Sequence, residues 1–108
     1  MKRLLLALAI GITVLLLGTY TANSASKPVT VDMSDFAFHP DTLHVHTGDT
    51  VVFKNGDQAT HNVTADAFAS GDIGPGKSWS HAFLKAGSYA YLCTYHDGMK
   101  GTITVSDP

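Results

Sequence analysis

Gly87-Ser88-Tyr89-Ala90-Tyr91-Leu92-Cys93-Thr94-Tyr95-His96-Asp97-Gly98-Met99-Lys100-Gly101 is the stretch on which the reading of this chain turns. Residues 88–92 are aromatic-rich and alternate in polarity, as a half-buried strand does. A turn at Lys85-Ala86-Gly87 precedes them, and a β-branched strand over 101–105 follows. Between the two strands a thiol, an imidazole and a thioether fall within seven residues, Cys93 to Met99. Cys93 is the only cysteine of the chain.

A second imidazole, His61, opens the strand-like stretch His61-Asn62-Val63-Thr64. One thiolate, two imidazoles and a weakly bound methionine form the donor set of a blue-copper electron-transfer centre. Sulfur suits Cu(I), imidazole suits Cu(II), and a trigonal site of both serves either oxidation state. Zinc is the rival metal, but zinc sites favour thiolates, imidazoles and carboxylates. A methionine in fourth place points to copper. The plainer readings are a buried structural thiol, a strand histidine with ordinary partners, and a packing methionine.

The amino terminus reads as a secretory leader. Lys2 and Arg3 precede an uncharged apolar run over 4–17, and small polar residues follow up to Ser26. That order of charge, apolarity and small residues marks a signal peptide. The run is shorter than the roughly 20 residues a membrane-spanning helix needs. An uncleaved membrane anchor is the alternative for the same segment. The expected division is therefore a signal peptide over 1–26 and one domain over 27–108. Small residues at Ala22, Ser24 and Ser26 leave the cleavage point open.

The domain carries five lysines, no arginine, nine aspartates and no glutamate, a formal charge of about −4. Nucleic-acid binding demands a basic face, so that class is excluded. One cysteine cannot form an internal disulfide in an exported domain, and a bound metal can stabilise the fold in its place.

Outward from the opening stretch the pattern stays β. Strands are expected over 29–33, 43–46, 50–54, 61–65 and 78–84, besides 88–92 and 101–105. Residues 66–76 read as a loop with glycines and a proline, and Ala67-Phe68-Ala69 is the one place for a helical turn. Seven to eight short strands with frequent turn signals predict an all-β Greek-key sandwich.

These residues resemble the cupredoxins, the type 1 blue-copper proteins, and within them the amicyanin and plastocyanin branch. The resemblance rests on Phe36-Ala37-Phe38-His39-Pro40, Gly48-Asp49-Thr50-Val51, His61-Asn62-Val63, Gly74-Pro75-Gly76 and the run from Gly87 to Gly101. The spacing Cys-x-x-His-x-x-Met is similar to that of amicyanin. The resemblance implies one type 1 copper ion held by His61, Cys93, His96 and Met99. It implies that His61 binds from the strand side, that His96 lies near the surface as the electron port, and that Met99 is the long axial ligand. Asn62 would hydrogen-bond across to the ligand loop and hold Cys93. Family members often carry proline where this chain has Tyr95. The Tyr95 N–H is thus expected to donate to the thiolate sulfur and raise the reduction potential.

The function so implied is a small exported, periplasmic, monomeric electron carrier, not an enzyme, with donor and acceptor redox proteins as partners. The negative charge predicts a basic docking face on those partners. No small-molecule substrate is expected, and a membrane only if the leader is retained. The rival is a periplasmic copper chaperone or resistance protein using the same site. A multicopper oxidase needs several His-x-His pairs and a second domain. A binuclear copper centre needs two cysteines, and a c-type haem needs Cys-x-x-Cys-His. All three are absent.

Other histidines have plainer readings. His44 and His46 share a strand face opposite Leu43 and Val45. They read as two solvated residues, and the sharper alternatives are that they bind a second metal or pass copper to the main site. His39 reads as a turn residue. His81, between Trp79 and Phe83, is expected to be partly buried with a hydrogen-bonding partner. Tyr89 and Tyr91 are expected to pack.

Overall fold

The computed structural model describes residues 27–108, so the expected leader over 1–26 lies outside the described residues. Eight strands follow in order: β1 (Val29–Ser34), β2 (Ala37–His39), β3 (Thr42–His46), β4 (Thr50–Asn55), β5 (Thr64–Ala65), β6 (Ser78–Ala82), β7 (Gly87–Leu92) and β8 (Lys100–Ser106). They form two four-stranded sheets, ordered β2-β1-β4-β6 and β3-β8-β7-β5. The expected all-β sandwich is present. Among the described residues no helix is long and apolar enough to cross a membrane.

Two pairings are parallel, β1 with β4 and β3 with β8; the others are antiparallel. Alternation sets which face is buried. Val31 and Met33 of β1, Val51 and Phe53 of β4, and Ile103 and Val105 of β8 point inward and are almost fully buried. Phe38, Phe53 and Tyr91 meet edge to face in the core, with ring centres 4.8–6.3 Å apart, a favourable aromatic arrangement. Tyr89 and Tyr91 pack as expected. Burial, with Asp41 adding to it, pushes the Tyr91 phenol well above its ordinary range.

Gly101 permits this packing. A Cβ there would lie 2.5 Å from the Tyr91 hydroxyl oxygen and 2.9 Å from the Asp41 carbonyl oxygen.

Three local expectations are corrected. The strand expected over 61–65 is only Thr64–Ala65, because the backbone of its first half is engaged elsewhere. His61 forms a two-way bridge with Ile73, and the Val63 N–H donates to the Ser70 hydroxyl at 2.8 Å. The strand expected over 78–84 ends at Ala82, since Phe83 exchanges backbone bonds with Gly48 and Asp49 in the turn after β3. Residues 67–69 form no helical turn: Ala65 N donates to Phe68 O, and Ala69 bridges Thr64.

His81 is partly buried as expected, but no side-chain hydrogen bond is found for it among the described residues. The contacts described for it are rings. It stacks on Trp79 at 5.4 Å and meets Phe68 and Phe83 at 4.6 and 4.8 Å. Burial lowers its pKa below the ordinary 6.5.

Candidate metal centre

Buried Asn55, the last residue of β4, organises the approach to the site. Its amide donates to the carbonyls of Ala59 and Ile73 at 2.8 and 2.9 Å, and its side-chain oxygen accepts the Asp57 N–H at 2.9 Å. A buried amide satisfied in this way fixes the chain around it. The turn it pins carries Asp57 and delivers His61 to its bridge with Ile73.

His61 is fully buried. Its Nδ1 stands 3.9 Å from the Cys93 sulfur, and its Nε2 lies 2.8 Å from Asp57 Oδ2. One nitrogen thus faces the thiol while a carboxylate engages the other, an arrangement that fixes the tautomer and the ring orientation. Burial works to raise the Asp57 pKa. Hydrogen bonds from His61 and from the Phe36 and Asp35 amides outweigh it and leave the carboxyl below its usual 3.8.

Cys93 follows β7 directly and Met99 precedes β8 directly. The loop between them is closed by a bond from Cys93 N to Met99 O at 2.9 Å, with Met99 N reaching His96 O at 3.3 Å. Gly98 adopts φ +81°, a left-handed conformation that glycine takes without steric penalty. The thiol and Met99 are both buried, at 3% and 1% exposure.

His61, Cys93 and His96 bring one donor atom each within 4.8 Å of one another. Donors about 2.0–2.3 Å from a single ion in a trigonal plane stand roughly 3.5–4 Å apart, so the three residues need little movement to share one. The Nε2 of His96 is buried without a hydrogen-bond partner, and coordination is an interaction open to such a nitrogen. The donor set and the spacing fit a copper ion. Met99, the fourth expected ligand, is placed in the same loop by the backbone bonds above.

Asn62 performs the expected bridging, but through Thr94. Its Nδ2 donates to the Thr94 hydroxyl at 2.7 Å, and its Oδ1 accepts the Thr94 N–H at 3.2 Å. Thr64 donates to the same Oδ1 at 2.8 Å. The residue after the cysteine is therefore clamped from two sides. The expected bond from the Tyr95 N–H to sulfur is absent from those found among the described residues. The phenol of Tyr95 instead donates to Asp72, and that bond, with smaller contributions from burial and charge, raises its pKa.

A cupredoxin-like domain profile matches residues 6–105. The chain is a cupredoxin. It is 34% identical to amicyanin of Paracoccus denitrificans over 91 residues, covering 78% of this chain and 70% of that protein. It is 35% identical to plastocyanin of Scenedesmus fuscus over 89 residues, covering 68% of this chain and 91% of the other. Among solved structures, the Cu(I) form of an amicyanin variant superposes with a TM-score of 0.69 at 31% identity, over 76% of this chain and 85% of that one. A copper-containing nitrite reductase from Thermus scotoductus superposes at 0.73 and 29% identity over 87% of this chain, but only 25% of the reductase is covered. This cupredoxin is a small blue-copper electron carrier, and its cofactor is one type 1 copper ion.

Two residues of this cupredoxin's site were missed in the sequence, Asp57 and Phe36. Asp57 lies in Asn55-Gly56-Asp57, where only turn chemistry is legible. Phe36 stands edge-on to His96 at 4.7 Å and to His61 at 5.5 Å, yet it is half exposed itself. His96 is half-buried under that ring.

Proposed function

We propose that His61, Cys93, His96 and Met99 hold the copper ion, and that the mature domain over 27–108 passes single electrons between a donor and an acceptor redox protein outside the cytoplasm. The observation that carries this reading is the gathering of three donor atoms within 4.8 Å on parts of the chain tied down by backbone and side-chain bonds. When bound, copper supplies the one-electron change. The protein's part is to keep one geometry through that change. Asp57 holds the His61 ring, Asn62 holds Thr94, and the Cys93–Met99 backbone bond holds the loop shut. Groups already fixed before the charge changes reorganise little when it does.

The electron path runs through the His96 ring and the Phe36 ring resting on it. Exposed Phe36 and Tyr95 supply an apolar contact near that end, and five lysines against nine aspartates supply attraction for a basic partner. Such steering speeds association and weakens as salt rises. No bound substrate is part of this reading, which makes the protein a carrier and not an enzyme.

The deciding test is the visible spectrum of the domain with Cu(II), beside Cys93→Ala. An intense blue thiolate-to-copper band that the variant lacks supports the reading. Copper bound without that band overturns it and favours a copper-handling role. Amino-terminal sequencing and fractionation of the protein made by its host test export: a start near residue 27 supports it, an intact leader in the membrane fraction favours the anchored alternative, and an intact leader in the cytoplasm removes export.

A further inference from the structure

We propose that His44 and His46 form a second, solvent-facing metal site that takes Cu(II), separate from the type 1 centre. Both residues lie on β3, the edge strand of its sheet, and both are exposed. Residues two apart on a strand point to the same side. Their ring centres are 5.3 Å apart, at 79° between planes. An ion sits about 2.0–2.1 Å from an imidazole nitrogen, hence roughly 3 Å from the ring centre, so two rings sharing one ion have centres about 4.5–6 Å apart. The observed separation falls in that interval.

The His44 ring and the His46 backbone are also restrained. His44 Nε2 lies 2.8 Å from the hydroxyl of Ser106 on the neighbouring strand β8, which orients the ring and leaves Nδ1 for a metal. The His46 backbone is fixed by a bond from its N–H to Asp49 Oδ2 at 2.9 Å. Asp107 accepts from the Thr47 hydroxyl at 3.2 Å, so carboxylates of both Asp49 and Asp107 lie at this end of the sheet. That charge favours a cation. Two imidazoles with water completing the shell suit Cu(II) above the other divalent ions of its row.

This site is not a way station to the type 1 centre. In the β3–β8 register His44 pairs with Thr104 and His46 with Ser106, whereas the ligand loop enters β8 at Lys100. At about 3.3 Å per residue the two sites are separated by roughly 15–25 Å along the sheet. The histidine pair is therefore a labile surface chelate holding a second ion of its own.

The test is a Cu(II) titration of the domain followed by visible absorption and electron paramagnetic resonance. The comparison is with His44→Gln, His46→Gln and the double variant. The expected result is one further equivalent of Cu(II) in the parent, without blue colour and with the wide hyperfine splitting of an ordinary tetragonal site. Both single variants and the double variant lose that equivalent and keep the blue band. Uptake that is equal in parent and double variant overturns the proposal, and leaves the two rings as an aromatic contact only. Uptake that survives in either single variant overturns chelation. The difference in stoichiometry is read independently of the blue band, so failure of the type 1 reading does not obscure it.

Discussion

A single oxygen of Asp57 serves two parts of the copper end at once: Oδ2 lies 2.8 Å from His61 Nε2 and accepts the Phe36 N–H at 3.0 Å. The other oxygen accepts the Asp35 N–H at 2.9 Å. Asp35 and Phe36 both have positive φ, 52° and 57°, which side chains rarely adopt unless held. The carboxylate that engages the buried His61 ring thus also secures the turn whose aromatic ring covers both histidines.

Asp57→Asn removes the charge from that junction. We expect Cu(II) affinity to fall about 10–100-fold, as for other changes behind a metal ligand. With Cu(I) affinity little altered, the reduction potential rises by roughly 60–120 mV, at about 59 mV per tenfold for one electron. Redox titration beside a Cu(II) competition assay checks this; an unchanged or lowered potential contradicts it.

Asn62 and Thr94 form a two-bond clamp behind the thiol. Thr94→Ala should destabilise the apo domain by about 1–3 kcal/mol, because the amide of buried Asn62 is left unpaired, and Asn62→Ala, whose partner Thr94 is exposed, by about 0.5–1.5 kcal/mol for the bonds lost. In a double-mutant cycle by denaturant unfolding, the pair should show coupling of about 0.5–3 kcal/mol. Additive effects would mean that the clamp acts through other neighbours.

Gly101→Ala drives a methyl group against Tyr91 and the Asp41 carbonyl. The expected loss is about 1–3 kcal/mol from overpacking, seen as a lowered thermal midpoint. Phe at position 91 removes the atom lying nearest the new methyl and should restore part of the loss. A fully neutral Gly101→Ala would show that the β7–β8 pair yields more easily than its packing implies.

His81 gives a pH signature. Its folded pKa is lowered by burial from an ordinary 6.5. The unfolded chain then binds the proton more readily, so the stability tied to neutral His81 is present above pH 6.5 and is lost as pH falls through the lowered folded value. Thermal midpoints of the apo domain from pH 7.5 down to 5 should drop less for His81→Phe than for the parent. Parallel curves would show that the ring titrates as freely folded as unfolded.

The strands most legible in the sequence are those whose alternation is undisturbed, such as Val29–Ser34 and Thr50–Asn55. The stretch from His61 misled because its β-branched residues follow strand propensity while its backbone donors go to Ile73 and Ser70, partners no local pattern reveals. The grouping of Cys93 with His96 was legible because four residues of one loop hold them together, and Met99, proposed as the fourth ligand, closes the same loop. Asp57 was not, because an aspartate in a turn is ordinary until Asn55 has bent the chain back toward His61. The Tyr95 expectation failed on the backbone, where no bond to sulfur forms, while its phenol found Asp72.

The position of β8 bears on the order in which the protein can be completed. This last strand lies inside its sheet, between β3 and β7, and the loop carrying the thiol closes against its first residues. The first sheet can pair β1 with β2 and β4 without it, but β3 and β7 have no common neighbour until β8 is in place. A chain lacking that strand has its thiol and both imidazoles without the frame that gathers them. The meeting of the three donors is thereby tied to the joining of the second sheet, although none of them lies on the strand that joins it.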